Sequence, residues 1–377
     1  MNIIKYIGFY PKDRDGLTRH GSIAAANKMD YICDALNGLD IKVEIISPSW
    51  YTDNRKASGK YTICESKTKT ITFFGSFSCK NRSARRIRAL FSMAWLFFYL
   101  LTKTRRGESI VVYHALLLIK PIQWVKKLKK LNLILEVNEI YSEVRNFPKA
   151  IQVQEFKMFS LADKYIFSTE LLNEKLNKSI KPYVINSGTY RSEKERNSKF
   201  DDGKIHVVYA GIIDNQKGSG TAVKLARYLD SSYHVHIIGF GTESDIKELE
   251  NLINQISTAT TCRVTYDGLK QGEDYIEFLQ KCHIGLSTQS LVASYNETSF
   301  PSKILSYLSN GLRVVSIRLK AIEDSEFGEL IYFYDLDTPE EVAKVIKKVN
   351  FSDQYDSRKK IEEVNKNFIL ELAKLLK

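Results

Sequence analysis

The sequence predicts an α/β protein built from two doubly wound domains with largely parallel sheets. Three observations carry this expectation. The chain has 377 residues, too many for one ordinary core. Short apolar runs alternate with helical segments from end to end, the pattern of parallel crossovers. The alternation is interrupted once, by the polar, charged and aperiodic tract TYRSEKERNSKFDDG at 189–203. The expected organisation is a first domain over 1–190, a linker over 191–203, a second domain over 204–350, and a C-terminal helical segment, 351–377, returning to the first domain. Two such sheets on one linker are expected to face a central cleft, with ligands at the topological switch points.

In the first half, NIIKYIGF reads as a strand, and the turn PKDRDGLTRHG leads to a helix near 20–38 with Ala24, Met29, Ile32 and Leu36 on one face. Strands follow at 41–47 and 69–74. A long helix is expected at about 81–104, a strand at 109–114, a helix near 119–131 and a strand at 133–138. A helix at 148–161 and the runs DKYIFST and KPYVINSG complete the half. In the second half, KIHVVYAG, YHVHIIG, CRVTYDG, HIGLST, LRVVSI and ELIYFYD are candidate strands, with closing helices near 338–349 and 355–376.

Hydrophobic residues at 44% and charged residues at 27% describe a globular chain rather than a disordered or fibrous one. The five cysteines are scattered, with no CxxC pair and no neighbouring histidine at metal-ligand spacing, so reduced thiols are expected. The start, MNIIKYIGFYPKDRDG, lacks the pattern of a secretory signal, which points to the cytoplasm. The net charge of +12 is unevenly distributed: residues 1–190 hold 31 Lys and Arg against 16 Asp and Glu, the remainder 25 against 28. A one-sided positive field of this kind fits a polyanionic partner, either nucleic acid or an anionic membrane surface.

The richest chemical signal is SFPSKILSYLSNGLRVVS at 299–316, a loop entering a helix, then a glycine and a buried strand. Pro301 and Ser302 fall at the expected first turn, where unpaired N–H groups and the helix dipole favour an anion such as a diphosphate, and Lys303 adds a full charge. An amphipathic core helix with a proline start would read the same way. VVYAGIIDNQKGSGTAV places Gly211 where backbone approaches a ligand and Lys217, Gly218 and Gly220 where phosphate oxygens are surrounded. In IIGFGTES, Gly239 and Gly241 allow another close approach.

In this order YAG…KG, IIGFG, VTYDG…YIEFLQKCHIGLST, FPSKILSYLSNGLRVVS and YDLDTPEEVAKVI resemble family-four glycosyltransferases of the bacterial surface-polysaccharide type. The first half is similar more loosely, through HAL at 114–116, EVNE at 136–139, ADKYIFST and VINSG. The resemblance implies the GT-B fold of two Rossmann-like domains. It also implies retaining transfer from a nucleoside-diphosphate sugar, UDP- or GDP-linked, with no metal and no other cofactor. The donor is then held by the second domain and a glycan or polyprenyl-linked acceptor by the first, in synthesis of a capsule or O-antigen.

Carried over by position, Lys217 meets the donor diphosphate, the amides at Pro301 and Ser302 meet phosphate, and the turn Gly268, Leu269, Lys270 reads the nucleobase. The chain departs from the family at three places. Ile212 stands where the family has an arginine, and Ser306 and Thr298 stand where it has the two glutamates of its E-x7-E pattern. Either Lys303 and the adjacent Glu297 take over, or the donor differs. In the first domain, His114 at a strand end is an active-site residue or a structural histidine. Glu139 orients a hydroxyl or caps a turn. Gly16, Arg19 and His20 lie in the turn that the family brings to the phosphates and acceptor.

The segment 80–106 holds about fourteen largely apolar residues between basic clusters and reaches roughly 21 Å as a helix, short of a bilayer core of about 30 Å. With WVKKLKKL at 124–131 it suggests a helix lying in anionic headgroups at the inner face of the cell membrane, or a buried crossover helix with solvated ends. No nucleic-acid-binding motif is visible, so no nucleic-acid partner is expected. A nucleotide-sugar epimerase on the same fold and a non-catalytic protein remain the alternatives.

Overall fold

The computed structural model describes residues 3–12, 19–196, 199–214, 218–289 and 298–377. The chain divides into two compact units, one comprising residues 1–189 with 367–377, the other residues 190–366.

The first unit is built on strands β1 (Ile3–Ile7), β2 (Lys42–Ser47), β3 (Tyr61–Cys64), β4 (Lys69–Phe73), β5 (Ser109–Tyr113), β6 (Asn132–Val137), β7 (Lys164–Phe167) and β8 (Tyr183–Ile185). Helices α1 (Ile23–Gly38), α2 (Arg82–Lys103), α3 (Ile119–Lys129), α4 (Tyr141–Val144), α5 (Lys149–Leu161) and α6 (Glu170–Leu176) connect them. The sheet order is β3-β4-β2-β1-β5-β6-β7-β8, and every pair is parallel except β3 with β4. The order reverses between β1 and β5, which makes that gap the switch point.

The strands read as apolar runs because parallel strands are covered on both faces. Ile110, Val112, Leu133 and Leu135 are fully buried and join Leu96 and Leu100 of α2 and Ile122 and Val125 of α3 in one core. Side chains cap the helix starts: Ser22 accepts from Ala25 N at α1, and Asn81 accepts from Ala84 N at 2.8 Å at α2.

The second unit contains β9 (Ile205–Ile212), β10 (Tyr233–Phe240), β11 (Arg263–Tyr266), β12 (Ile284–Ser287), β13 (Arg313–Ile317) and β14 (Ile331–Tyr334). Its helices are α7 (Ser219–Lys224), α8 (Glu243–Ser257), α9 (Gly272–Lys281), α10 (Ser302–Ser309), α11 (Lys320–Glu323) and α12 (Pro339–Lys347). All pairings are parallel in the order β11-β10-β9-β12-β13-β14, which puts the switch point between β9 and β12. The last helix, α13 (Ser357–Leu376), begins in this unit and ends in the first. In the first unit Phe368 stacks on Tyr31 with ring centroids 5.6 Å apart, and the Leu375 carbonyl accepts from Lys164.

Candidate functional site

In the second unit the C-terminal strand ends are built from bare backbone. Gly239 and Gly211 are register partners on β10 and β9. A Cβ on Gly239, whose φ is 144°, would lie 1.8 Å from the Gly211 carbonyl oxygen, so only glycine fits. Across the switch point, Gly218 has φ 91° and no room for a side chain, because its Cβ would lie 1.6 Å from the Thr288 carbonyl oxygen. Thr288 Oγ1 donates to the Gly218 carbonyl at 2.9 Å, pinning the loop after β9 to the end of β12.

The two central strands pair only at Ile284 with Val207 and Gly285 with Val208. Beyond that they are bridged by the buried Tyr307 hydroxyl, which accepts from Ala210 N at 2.8 Å and donates to the Leu286 carbonyl at 3.2 Å. Tyr307 thereby fixes α10 at the switch point, a role not foreseen from the sequence.

Pro301 is the N-cap of α10 rather than its first helical residue, and it gives the helix no side-chain cap. Ser302 is exposed in the first turn. The half-buried Lys303 turns back over β9: its Nζ lies 4.1 Å from the Tyr209 ring centroid and 3.5 Å from where a Cβ on Gly211 would be. Lys303, Gly211 and the uncapped start of α10 therefore come together. Ser306 shares a 3.0 Å hydrogen bond with the Tyr275 hydroxyl of α9, and Thr298 is buried. In the turn after β11, the Gly268 carbonyl accepts from Gly239 N at 3.1 Å, Leu269 is exposed, and Lys270 lies 5.5 Å from the Phe278 ring centroid. Lys217 and Glu297 lie outside the described residues, as does Gly16 in the first unit.

Burial bears on three basic side chains of the first unit. Arg19 is 1% exposed and does not present its guanidinium to a ligand. Its nitrogens donate to the Ser49 carbonyl (2.8 Å), the Ser58 hydroxyl (3.1 Å) and the Tyr61 hydroxyl (3.1 Å), while the Tyr51 ring covers it at 4.2 Å. A cation so enclosed holds the loops together. His114 is also buried, between Tyr141 and Phe159, with Nε2 3.4 Å from Glu155 Oε1. Burial pushes its pKa down to about 3, which favours the structural alternative over a cleft acid or base. Arg88, expected in a surface basic cluster, is buried on Asn54 Oδ1 at 3.0 Å and the Phe77 carbonyl. His20, by contrast, is exposed and stacks on Trp50 with centroids 4.6 Å apart.

The central acid of EVNE is Glu136, while Glu139 is only half-buried. Glu136 accepts from the Tyr6 hydroxyl and from Asn138 Nδ2 at 3.1 Å, and it lies 3.5 Å from Lys28 Nζ. Lys28 also donates to the Asn186 carbonyl at 2.7 Å and to Asn138 Oδ1. Burial lowers the Lys28 pKa, and Glu136 opposes that shift. Lys28 and Glu136 are thus held by internal partners.

No family model matches the chain, and no curated protein matches it in sequence. Solved structures match it over nearly its whole length. A structure titled as trehalose-6-phosphate from E. coli bound with UDP-2-fluoro glucose gives a TM-score of 0.66 at 10% identity, covering 99% of each chain. An apo OtsA structure gives 0.64 at 11% identity, covering 98% of this chain and 96% of that one. Anabaena Alr3699/HepE in complex with UDP gives 0.64 at 10% identity, covering 100% and 99%. The fold is GT-B. At these identities the likeness concerns architecture, and GT-B architecture accounts for two doubly wound sheets each with its own switch point.

Proposed function

We propose that this GT-B chain is a retaining glycosyltransferase of the family-four kind, moving a sugar from a nucleoside-diphosphate donor to a glycan or polyprenyl-linked acceptor in cell-surface polysaccharide synthesis. The second unit holds the donor and the first the acceptor. The observation that carries this reading is Lys303 turned over Gly211 at the switch point, beside the uncapped start of α10. A leaving diphosphate gains charge as the anomeric carbon does, and fixed donors aimed at it supply the largest catalytic contribution. Lys303 and the first-turn amides are such donors, with Lys217 as the second cation of the carried-over motif. The departing phosphate takes the proton of the incoming hydroxyl, so no protein base is required, in keeping with a neutral, enclosed His114. The co-crystallised UDP and UDP-2-fluoro glucose of the structural neighbours support a uridine nucleotide donor.

The first unit favours a lipid-linked acceptor at the cytoplasmic face of a membrane. Ile87, Leu90, Phe91 and Phe98 on α2 and Trp124 and Leu128 on α3 are exposed, and the two helices pack together with Phe97 edge-on to Trp124. Arg85, Arg86, Arg105, Arg106, Lys127 and Lys130 are exposed on the same helices or just after them. Among the described residues no helix is long and apolar enough to cross a membrane, so this surface suits a helix lying in the headgroup layer.

The deciding experiment is mass spectrometry of products after incubation with a panel of nucleotide sugars and lipid-linked saccharides. A saccharide lengthened by one sugar is expected. Turnover of the donor alone into its epimer identifies an epimerase instead.

A further inference from the structure

Away from the glycine-lined strand ends, the second unit gathers four of the chain's six histidines. His206 on β9 and His234 on β10 are register partners, and His236 follows on the same face of β10. One ligand nitrogen from each of these three lies within 4.8 Å of the others, and all three residues are buried. His283 stands apart, because its Nδ1 accepts from His206 N at 3.0 Å.

Outer partners fix where the ring protons sit. Asp202 Oδ1 lies 2.8 Å from His206 Nε2, and Asp267 Oδ2 lies 2.9 Å from His236 Nδ1. An ionised carboxylate only accepts, so each of those nitrogens carries its N–H. Thr265 spends its hydroxyl proton on Asp267 Oδ2 at 2.8 Å and therefore accepts from His234 Nε2 at 3.0 Å. In neutral imidazoles the remaining nitrogens bear lone pairs. Those of His206 Nδ1 and His236 Nε2 face each other at 2.8 Å in a buried place, a repulsive contact until a positive species lies between them.

We propose that this species is a divalent transition metal ion of the zinc class, bound by His206, His234 and His236. Each ligand then has its other nitrogen held by an oxygen acceptor, the arrangement that orients metal-binding histidines. Nitrogen ligands suit zinc, and at Zn–N distances of about 2.0–2.1 Å two tetrahedral ligands lie about 3.4 Å apart, a separation the pair reaches by small side-chain rotations. The two contacting carboxylates carry two negative charges, which a divalent ion balances and a lone proton does not. Phe200 covers the group, stacking on His206 at 4.2 Å and His236 at 5.1 Å. The ion ties the segment holding Phe200 and Asp202 to β9 and β10 and, through Asp267, to the turn at Gly268. Its role is structural and does not depend on the proposed transferase activity.

The test uses the full-length chain with any affinity tag removed. Elemental analysis after desalting is expected to find about one zinc per chain, or else the metal-free chain takes up one equivalent of zinc with a rise in thermal midpoint. Cobalt(II) in its place is expected to show the intense visible absorption of a tetrahedral site, three histidines and one water. Asp202→Asn, at an exposed position that leaves the core untouched, should weaken zinc affinity about 10- to 100-fold. His236→Gln should abolish the cobalt spectrum. A chain that neither carries nor takes up zinc or cobalt at micromolar concentration, with its thermal midpoint unchanged, overturns the proposal and leaves a shared proton between the two rings. Zinc binding undiminished in both variants places the metal elsewhere and overturns it equally.

Discussion

The two sheets have the same winding, yet their switch points are finished in opposite ways. In the second unit the strand ends carry no side chains: Gly239 and Gly218 are buried against the Gly211 and Thr288 carbonyls, Gly211 is half-buried, and Lys303 Nζ lies beside it. In the first unit the corresponding place is filled. A Cβ on Gly8, just past β1, would meet the Met29 thioether at 2.9 Å and Tyr113 Cβ at 3.2 Å, and the nearby cation, Lys28, is buried among Glu136, Asn138 and Asn186. Topology supplies a crevice, and the residues at its lip, close-packed backbone in one unit and side chains in the other, decide how it is lined.

Alanine at the two glycines gives the largest separation. Gly239→Ala drives a Cβ into rigid backbone, so β9 and β10 must part, and a loss of at least about 4 kcal/mol is expected. Gly8→Ala meets chiefly the flexible end of Met29, which rotates aside at a cost of about 1–2 kcal/mol. Denaturant midpoints of the two variants measure this, and equal losses would break the contrast between a lip packed with rigid backbone and one packed with flexible side chains.

How much of this was legible in the sequence follows from how local each cause is. The buried parallel strands announce themselves as apolar runs, because burial on both faces is written in consecutive residues. The edge strand β3 does not: YTIC is short and only half-buried, and it is set by antiparallel pairing with β4, Tyr61 opposite Phe73. Arg19 looks like a phosphate ligand in TRHG, since the groups that enclose it come from Ser49, Ser58 and Tyr61, thirty to forty residues on. The histidine cluster is half visible in His234-Val-His236, two residues on one strand face. Its third member arrives through the register of β9, which no local pattern encodes. Tyr307 reads as one more apolar position of α10, and only the divergence of β9 and β12 gives its hydroxyl a task.

The surfaces of the units should differ as their charges do. Replacing Arg85, Arg86, Arg105 and Arg106 with Gln is expected to weaken sedimentation with phosphatidylglycerol vesicles by up to roughly 4 kcal/mol, at about 1 kcal/mol per near-surface charge. Wild-type binding should fall as salt is added. If the wild-type chain ignores the vesicles at low salt, α2 is an ordinary crossover helix and the basic excess of the first unit has another use.

Removing the cation of the proposed donor site should affect catalysis more than the fold. Lys303→Ala is expected to lower kcat/KM for sugar transfer at least about tenfold, because in the proposed reading its charge meets the leaving diphosphate. Unimpaired kinetics in the folded variant would remove Lys303 from the site and with it the contrast to Lys28.

The last effect concerns His114 and separates a structural from a catalytic histidine by its protons alone. In the folded chain burial holds its pKa at about 3, against the ordinary value of 6.5. Between those two pH values the unfolded chain binds a proton that the folded chain refuses. This part of the stability is therefore full above about pH 6.5 and is lost as pH falls, at about 1.4 kcal/mol per pH unit. Glu155, 3.4 Å away and with its pKa raised by burial, works in the opposite sense. For that reason the comparison is with His114→Gln, whose amide still reaches Glu155 but does not titrate. Stability measured from pH 4 to 6 should change less steeply in the variant, by about 1.4 kcal/mol per pH unit. Parallel curves for the two proteins would mean that His114 protonates in place at an ordinary pKa, which would return it to the list of candidate acids.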